Sequence, residues 1–269
     1  MAYIETPDGV PLYYEDRGNG EAILLIHAWP MNAEYWWQKN TPKLAESHRV
    51  IAVDLRGHGL SGKTDEGHKL SQYARDVRHL QGMLELAEVT LVGWSMGASV
   101  ILNYLTRFGT DGIRSVVFVE QSPRYLPAPD WEYPLAGGYS PEALATFNQN
   151  LRFDRSAAAK GFIRSIFSGA PPQETIDEMY AETTKTPTSA AIASMTDMTY
   201  ADLRPALEKV TVPTLLLYGE QSKLFPGDLG SWLQEQIKGS KLVMFEESGH
   251  CPFWEEPEKF NREVADFVG

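Results

Sequence analysis

The segment Gly93-Trp94-Ser95-Met96-Gly97 places a serine between two glycines, after an apolar run and before a helical pattern. In this context the chain makes a sharp strand-to-helix turn, which strains Ser95 and lifts its hydroxyl above the edge of a sheet. The glycines keep side chains out of the crowded turn. The N-terminus of the following helix directs the Met96 N–H toward a developing oxyanion. The segment therefore predicts a serine nucleophile that attacks a carbonyl carbon.

A serine hydroxyl needs a general base, and the chain has six histidines. His250 follows the last predicted strand, 241–246, so we expect it at the carboxyl edge of the sheet, where Ser95 also lies. His27 follows a strand too, but its place in the chain and its neighbours in "HAWP" favour an oxyanion loop. The other histidines are predicted to be structural or solvated: His48, His58, His68 and His79. No H-x-H or H-E-x-x-H spacing occurs, so neither a metal site nor a cofactor is predicted.

The run "SVVFVE", residues 115–120, ends an apolar strand with a carboxylate. A charge in that place is costly unless it is paired or has a function. A buried carboxylate at the active edge of a sheet is a signal of a functional site. Two structural interpretations of Glu120 compete with this one. In the first it accepts hydrogen bonds from backbone amides, and in the second it pairs with Arg124.

Short apolar strands alternate with helical patterns over most of the chain. This alternation predicts an α/β fold with a mainly parallel, doubly wound sheet. An N-terminal hairpin is predicted over 3–18, with its turn at Pro7-Asp8-Gly9. The further strands are predicted at 22–27, 50–55, 89–94, 115–120, 214–219 and 241–246, and the helices between them at 70–87, 97–108, 229–238 and 257–268.

The alternation stops between residues 122 and 205, where prolines lead into helical patterns instead. These patterns cover 141–152, 155–168, 172–184 and 188–199. We interpret 122–205 as a helical cap inserted into a core domain made of 1–121 and 206–269. Its aromatic residues are expected to pack in a core more often than to line a pocket.

The composition limits the class of partner. An apolar content of 43% is enough for one large core, with or without an inserted piece. The net charge of −12 disfavours nucleic acid and anionic membranes as partners. The single cysteine, Cys251, excludes an intrachain disulfide and is expected to be buried and inert. No signal peptide or membrane-spanning run is visible, so a soluble cytoplasmic protein is expected. The oligomeric state stays open.

Several segments together resemble the α/β-hydrolase superfamily, in particular its small, cap-bearing serine esterase and haloperoxidase-like group. They are "LLIHAWPMNAEYW", "VDLRGHGLS", "GWSMG" and "SGHCPFWEEP". The resemblance implies a second oxyanion donor, the backbone N–H of Trp29, although Ala28 stands where glycine is usual. It also implies an acid three residues past Gly219. That position is Ser222, which cannot stabilise an imidazolium as a carboxylate does.

Some proteins of this superfamily, including certain haloalkane dehalogenases and lactone hydrolases, carry the acid at the end of strand 6. In this sequence that position is Glu120. The resemblance therefore implies a triad of Ser95, His250 and Glu120, with Glu220 as the reserve candidate for the acid. It assigns Asp54, in "VDLRGHG", to a structural position.

The implied reaction is hydrolysis of a small-molecule carboxylic ester through an acyl-enzyme on Ser95, which is carboxylesterase chemistry of EC 3.1.1 type. Lactone hydrolysis and perhydrolysis are alternatives on the same triad, and carbon–carbon bond hydrolysis is a further one. An alternative of another class is a non-catalytic ligand-binding protein on a hydrolase scaffold. Ser222 favours that alternative, whereas Ser95 and His250 oppose it. The natural substrate and its stereochemistry stay open.

Overall fold

The structure, a computed structural model, describes residues 2–269. Its strands are β1 (Ala2–Glu5), β2 (Pro11–Arg17), β3 (Ala22–Ile26), β4 (Arg49–Val53), β5 (Val89–Trp94), β6 (Ile113–Val119), β7 (Thr214–Gly219) and β8 (Lys241–Phe245). Within the described residues they form one eight-stranded sheet in the order β1-β2-β4-β3-β5-β6-β7-β8. The pairs β1–β2 and β2–β4 are antiparallel, and the other neighbours are parallel.

The central strands are mostly apolar because both faces of the sheet are covered. β5 and β7 are buried at every residue. In β3, Leu24 and Ile26 pack into the core on one face, while Ile23 and Leu25 pack into the core on the other. This arrangement confirms the predicted α/β fold with a mainly parallel sheet.

The helices are α1 (Ala33–Trp36), α2 (Thr41–Leu44), α3 (Leu70–Met83), α4 (Met96–Phe108), α5 (Pro141–Phe153), α6 (Arg155–Ser165), α7 (Gln173–Thr183), α8 (Thr188–Tyr200), α9 (Leu229–Gln236), α10 (Pro252–Glu255) and α11 (Pro257–Val268). α11 has the predicted bounds. The helix predicted over 70–87 ends at Met83 instead, because Glu85 adopts a left-handed backbone conformation with φ 52°. The short helices α1, α2 and α10 were not predicted, since four residues are too few to show a helical period.

The connection between β6 and β7 contains the four helices α5–α8 and, in the part of the chain that the structure describes, no strand of the sheet. Residues 123–124, near its start, lie beside residues 202–203. Arg124 and Asp202 form an isolated antiparallel bridge and an ion pair of 2.6 Å. The Leu203 N–H donates to the Pro123 carbonyl over 2.8 Å. The helical excursion between these residues therefore begins and ends at one place, near the carboxyl end of β6.

The order of the strands explains which loops meet. β6 lies between β5 and β7, and β8 lies beyond β7. These four strands are parallel, so the loops at their carboxyl ends share one edge of the sheet. Over residues 2–269, no helix is both long enough and apolar enough to span a bilayer.

Candidate active site

Ser95 occupies the turn between β5 and α4. Its backbone has φ 51° and ψ −116°, a combination that side-chain-bearing residues rarely adopt and that stores strain. The turn is anchored from the neighbouring strand, because the Ser95 N–H donates to the Val119 carbonyl over 2.9 Å. Only 7% of Ser95 is exposed. This is the geometry of a nucleophile elbow.

The two glycines of the motif are required by close backbone approaches. A Cβ on Gly93 would lie 2.5 Å from the Ala98 nitrogen, and one on Gly97 would lie 2.3 Å from the Ile26 carbonyl oxygen. Both distances are too short for a carbon atom. The contact of Gly97 with Ile26 also places the N-terminus of α4 against the chain that leaves β3.

Two backbone N–H groups are available for an oxyanion at this junction. Met96 is the first residue of α4, and Trp29 follows β3 by three residues. Among the residues that the structure describes, neither amide has an acceptor. The Trp29 indole is engaged, since its Nε1–H donates to the Ala191 carbonyl over 2.6 Å. Ala28 is absent from the positive-φ residues of the chain, so alanine causes no left-handed strain in this loop.

Both ring nitrogens of His27 are engaged in hydrogen bonds to the backbone, so His27 is not free to act as a base. Its Nε2 accepts the Leu55 N–H over 3.0 Å, so its Nδ1 carries the proton and donates to the Ala28 carbonyl over 2.8 Å. Burial lowers the pKa of His27 and keeps the ring neutral. Asp54 is likewise structural in its contacts: it accepts the Ala33 and Leu60 N–H groups, each over 2.7 Å.

His250 lies in the loop between β8 and α10, and 1% of it is exposed. Its backbone is held from two sides. The His250 N–H donates to the Ile166 carbonyl over 2.8 Å, and the Trp94 Nε1–H donates to the His250 carbonyl over 2.8 Å. Nε2 of the ring is buried without a hydrogen-bond partner among the described residues. No hydrogen bond joins Nε2 to the Ser95 hydroxyl within residues 2–269, and such bonds often tighten only when substrate binds.

Glu120 directly follows β6, with φ 47° and 1% exposure. Its Oε2 lies 3.1 Å from Nδ1 of His250. Because a carboxylate accepts, Nδ1 holds the proton and the lone pair of Nε2 is left available. The other oxygen, Oε1, accepts the Gly219 N–H over 2.8 Å. Glu120 thus combines the predicted histidine contact with the backbone-amide contact of one structural alternative.

Ser222 belongs to the same cluster. Its hydroxyl donates to Glu120 Oε2 over 2.8 Å, so the serine at the usual acid position holds the glutamate that contacts His250. Arg124 pairs with Asp202 and not with Glu120, which removes the second structural alternative. Glu220, the reserve candidate, is exposed, and its side chain has no hydrogen bond among the described residues.

A cavity of about 390 Å³ opens over Ser95, and none of the described residues that line it is charged. Its floor is formed by buried residues, namely Trp29, Ser95, Tyr125, Met195 and Met198. Its mouth is formed by exposed residues, namely Ala136, Asn150, Ala157 and Gly161. Most of the lining comes from the connection between β6 and β7.

Sequence reasoning missed a buried polar network beside Ser95. The Gln121 amide donates to the Ser99 hydroxyl over 2.6 Å and accepts the Tyr125 hydroxyl over 2.9 Å. The Tyr218 hydroxyl donates to the Gln121 carbonyl over 2.5 Å. Burial raises the pKa of Tyr125, and the Gln121 and Ser95 side chains partly offset this rise. A signal was present, since Gln121 extends the polar end of an apolar strand by one residue.

Burial makes two other titratable side chains, Cys251 and His58, unreactive. Burial raises the pKa of Cys251 well above its usual value, which keeps the thiol protonated and a poor nucleophile. Burial lowers the pKa of His58 well below its usual value. Within residues 2–269, no three His, Cys, Asp or Glu side chains are grouped so as to hold a metal ion.

Comparison with known proteins agrees with this geometry. The profile of the α/β-hydrolase fold matches residues 21–257. The AB hydrolase superfamily protein YisY of Bacillus subtilis is 30% identical and aligns over 98% of each chain. Among solved structures, the esterase EaEST from Exiguobacterium antarcticum has a TM-score of 0.92 at 29% identity, covering 99% of this chain and 98% of its own. A bromoperoxidase from Bacillus anthracis has a TM-score of 0.91 at 28% identity, covering 99% of each chain. These relatives support a hydrolase with esterase-like function. This chain belongs to the α/β-hydrolase family.

Proposed function

We propose that the protein is a serine carboxylesterase that hydrolyses uncharged carboxylic esters of small molecules through an acyl-enzyme on Ser95. The contact between Glu120 Oε2 and His250 Nδ1 carries this proposal. It supplies the acid that the family's usual position lacks, and it fixes the tautomer in which Nε2 of His250 can act as a base. The strained turn at Ser95 and the two unpaired amides of Met96 and Trp29 support it.

The reaction begins when Nε2 of His250 takes the proton of the Ser95 hydroxyl. Ser95 Oγ then bonds to the ester carbonyl carbon, and the Met96 and Trp29 N–H groups stabilise the oxyanion. Each such donor is worth about 3 kcal/mol of transition-state stabilisation. His250 next protonates the leaving alcohol. Water, deprotonated by His250, releases the acid and restores the Ser95 hydroxyl.

Glu120 acts through His250 and does not touch the substrate. Its negative charge stabilises the imidazolium that forms in both halves of the reaction. The Gly219 N–H and the Ser222 hydroxyl hold its two oxygens, so the carboxylate is oriented before substrate arrives. This support explains why a serine stands where the family usually carries the acid.

The cavity supports an uncharged substrate. A charge placed among its uncharged lining residues would lose hydration without gaining a partner. We also propose that residues 122–205 form a cap that sets this cavity, on a core made of 1–121 and 206–269. The pairing of Arg124 with Asp202, next to the two ends of this segment, supports that division.

A second candidate activity is perhydrolysis, in which hydrogen peroxide replaces water and releases a peracid from the same acyl-enzyme. The bromoperoxidase relative, at 28% identity, favours it. Lactone hydrolysis uses the same steps on a cyclic ester. Both activities use the same catalytic residues, including Ser95. Perhydrolysis differs from the main proposal in the molecule that accepts the acyl group, and lactone hydrolysis differs in the ester that is cleaved.

Turnover of p-nitrophenyl acetate by the wild-type protein and by Ser95→Ala tests the proposal. We expect hydrolysis by the wild type and a loss of about 10³-fold or more in kcat for the variant. Hydrolysis that persists in folded Ser95→Ala would remove the serine mechanism. A wild type that binds esters without turning them over would instead favour a ligand-binding protein on a hydrolase scaffold.

A further inference from the structure

Gly161 stands out because the fold does not require a glycine there. It lies inside α6 (Arg155–Ser165), where glycine destabilises a helix relative to alanine. Its φ is not positive, so the backbone does not need glycine. A Cβ built on Gly161 meets no heavy atom of the described residues within 4 Å, so none of these residues excludes a side chain there.

Gly161 lines the cavity over Ser95. The cavity is lined along one face of α6 by residues one turn apart, namely Ala157, Ala158, Gly161, Phe162 and Ser165. Gly161 and Ala157 are exposed and lie at the mouth, whereas Phe162 lies deeper and packs against Trp29 with ring centroids 5.2 Å apart. A side chain at 161 would therefore narrow the path to Ser95.

We infer that Gly161 determines the size of ester that the enzyme accepts, by leaving room at the mouth for a bulky apolar group. This inference rests on the proposed function and names its substrate class: uncharged esters with a large apolar acyl or alcohol group. The cavity of about 390 Å³ is large enough for a drug-sized ligand, and its lining is predominantly apolar. The stability lost at a helical glycine is then a consequence of keeping this path open.

Gly82 provides a matched control. It is the second-last residue of another helix, α3 (Leu70–Met83), its φ is not positive, and a Cβ built on it meets no heavy atom of the described residues within 4 Å. It does not line the cavity over Ser95. Alanine should raise the melting temperature by about 2–4 °C at Gly161, in the interior of α6, and by less at Gly82, because helix propensity counts less in the last turn of a helix.

The test compares kcat/KM for two esters. 2-Naphthyl octanoate is bulky on both sides of the carbonyl, so its orientation in the cavity does not matter, and ethyl acetate is small on both sides. For Gly161→Leu, we expect the naphthyl octanoate to ethyl acetate ratio to fall by about tenfold or more relative to the wild type. Gly161→Ala should lower the ratio less and melt at a higher temperature, and Gly82→Leu should leave the ratio unchanged.

An unchanged ratio in folded Gly161→Leu and Gly161→Ala would overturn the inference while leaving the serine mechanism intact. An equal fall in Gly82→Leu would overturn it as well, because the effect would not depend on the cavity. Failure of the proposed function would look different, since the wild type would hydrolyse neither ester.

Discussion

The substitution Glu120→Gln tests the relocated acid. In the wild type both carboxylate oxygens accept: Oε1 from the Gly219 N–H over 2.8 Å, and Oε2 from the Ser222 hydroxyl and from His250 Nδ1 over 3.1 Å. A glutamine keeps one oxygen and replaces the other by an NH₂ group, which can only donate. Glutamine therefore fits the space but cannot accept hydrogen bonds from both Gly219 and His250.

We expect the glutamine oxygen to accept the Gly219 N–H, because this backbone donor is fixed in place. The NH₂ group then faces Nδ1 of His250, which must give up its proton to accept. The proton moves to Nε2, and the ring can no longer deprotonate Ser95. The buried negative charge that stabilised the imidazolium is lost at the same time. Loss of the acid in a serine triad by this route costs about 10⁴-fold in kcat.

Ser222 offers both a control and a rescue. Ser222→Ala removes one of the hydrogen bonds to Oε2 but leaves the carboxylate charge and the Gly219 N–H contact, so kcat should fall by less than about tenfold. In Glu120→Gln/Ser222→Asp, the new carboxylate is placed in the loop after β7, at the residue whose hydroxyl lies 2.8 Å from Oε2 in the wild type. We expect this double variant to recover at least about tenfold in kcat over Glu120→Gln.

The assay is kcat for p-nitrophenyl acetate over pH 5 to 9, with circular dichroism to check folding. Activity of Glu120→Gln within about threefold of the wild type would refute the assignment of the acid, since about 10⁴-fold is expected. A loss in Ser222→Ala as large as that in Glu120→Gln would also contradict it, because disruption of the loop and not loss of charge would then explain both.

Three further predictions concern the scaffold. Gly97→Ala should lower the melting temperature by several degrees and reduce activity, because the alanine Cβ would lie 2.3 Å from the Ile26 carbonyl oxygen. Differential scanning calorimetry measures the melting temperature, and an unchanged value would contradict the close packing. Burial lowers the pKa of His58, so the unfolded state binds the proton more tightly than the folded state does. The free energy of unfolding should therefore fall as the pH drops below about 6.5. Urea titrations should show a smaller fall for His58→Asn than for the wild type. The hydrogen bond from Arg204 lowers the pKa of Asp202 to about 2, so this ion pair stabilises the folded state above about pH 4 and loses that effect as the pH falls toward 2. Because the site is partly exposed, Asp202→Asn should lower the free energy of unfolding at pH 7 by about 1 kcal/mol at most. A larger decrease, measured by urea titration, would indicate that packing and not charge is responsible.

The residues proposed for the chemistry were predictable because each follows an apolar strand. Ser95 lies in a motif whose strand and helix context was readable, and β5 has the predicted bounds. His250 and Glu120 follow β8 and β6, and parallel strands bring such positions to one edge. The structure brings these two side chains within 3.1 Å of each other.

The surroundings of the site were not predictable from the sequence. The Trp29 indole bonds to Ala191, and the His250 backbone bonds to Ile166, in both cases across large sequence separations. Such contacts depend on how the helices of 122–205 pack over the sheet, and helical periodicity does not specify that packing. For the same reason the lining of the cavity, including Gly161 at its mouth, became visible only in three dimensions.

Covalent labelling with a fluorophosphonate tests the central claim most directly. The protein is treated with the reagent, digested and analysed by mass spectrometry, with Ser95→Ala and Glu120→Gln in parallel. The account predicts one adduct per chain, on Ser95, with loss of esterase activity in proportion to labelling. It also predicts no adduct in Ser95→Ala and much slower labelling of Glu120→Gln. Unmodified Ser95 in folded wild-type protein, or full activity after complete labelling of Ser95, would contradict it.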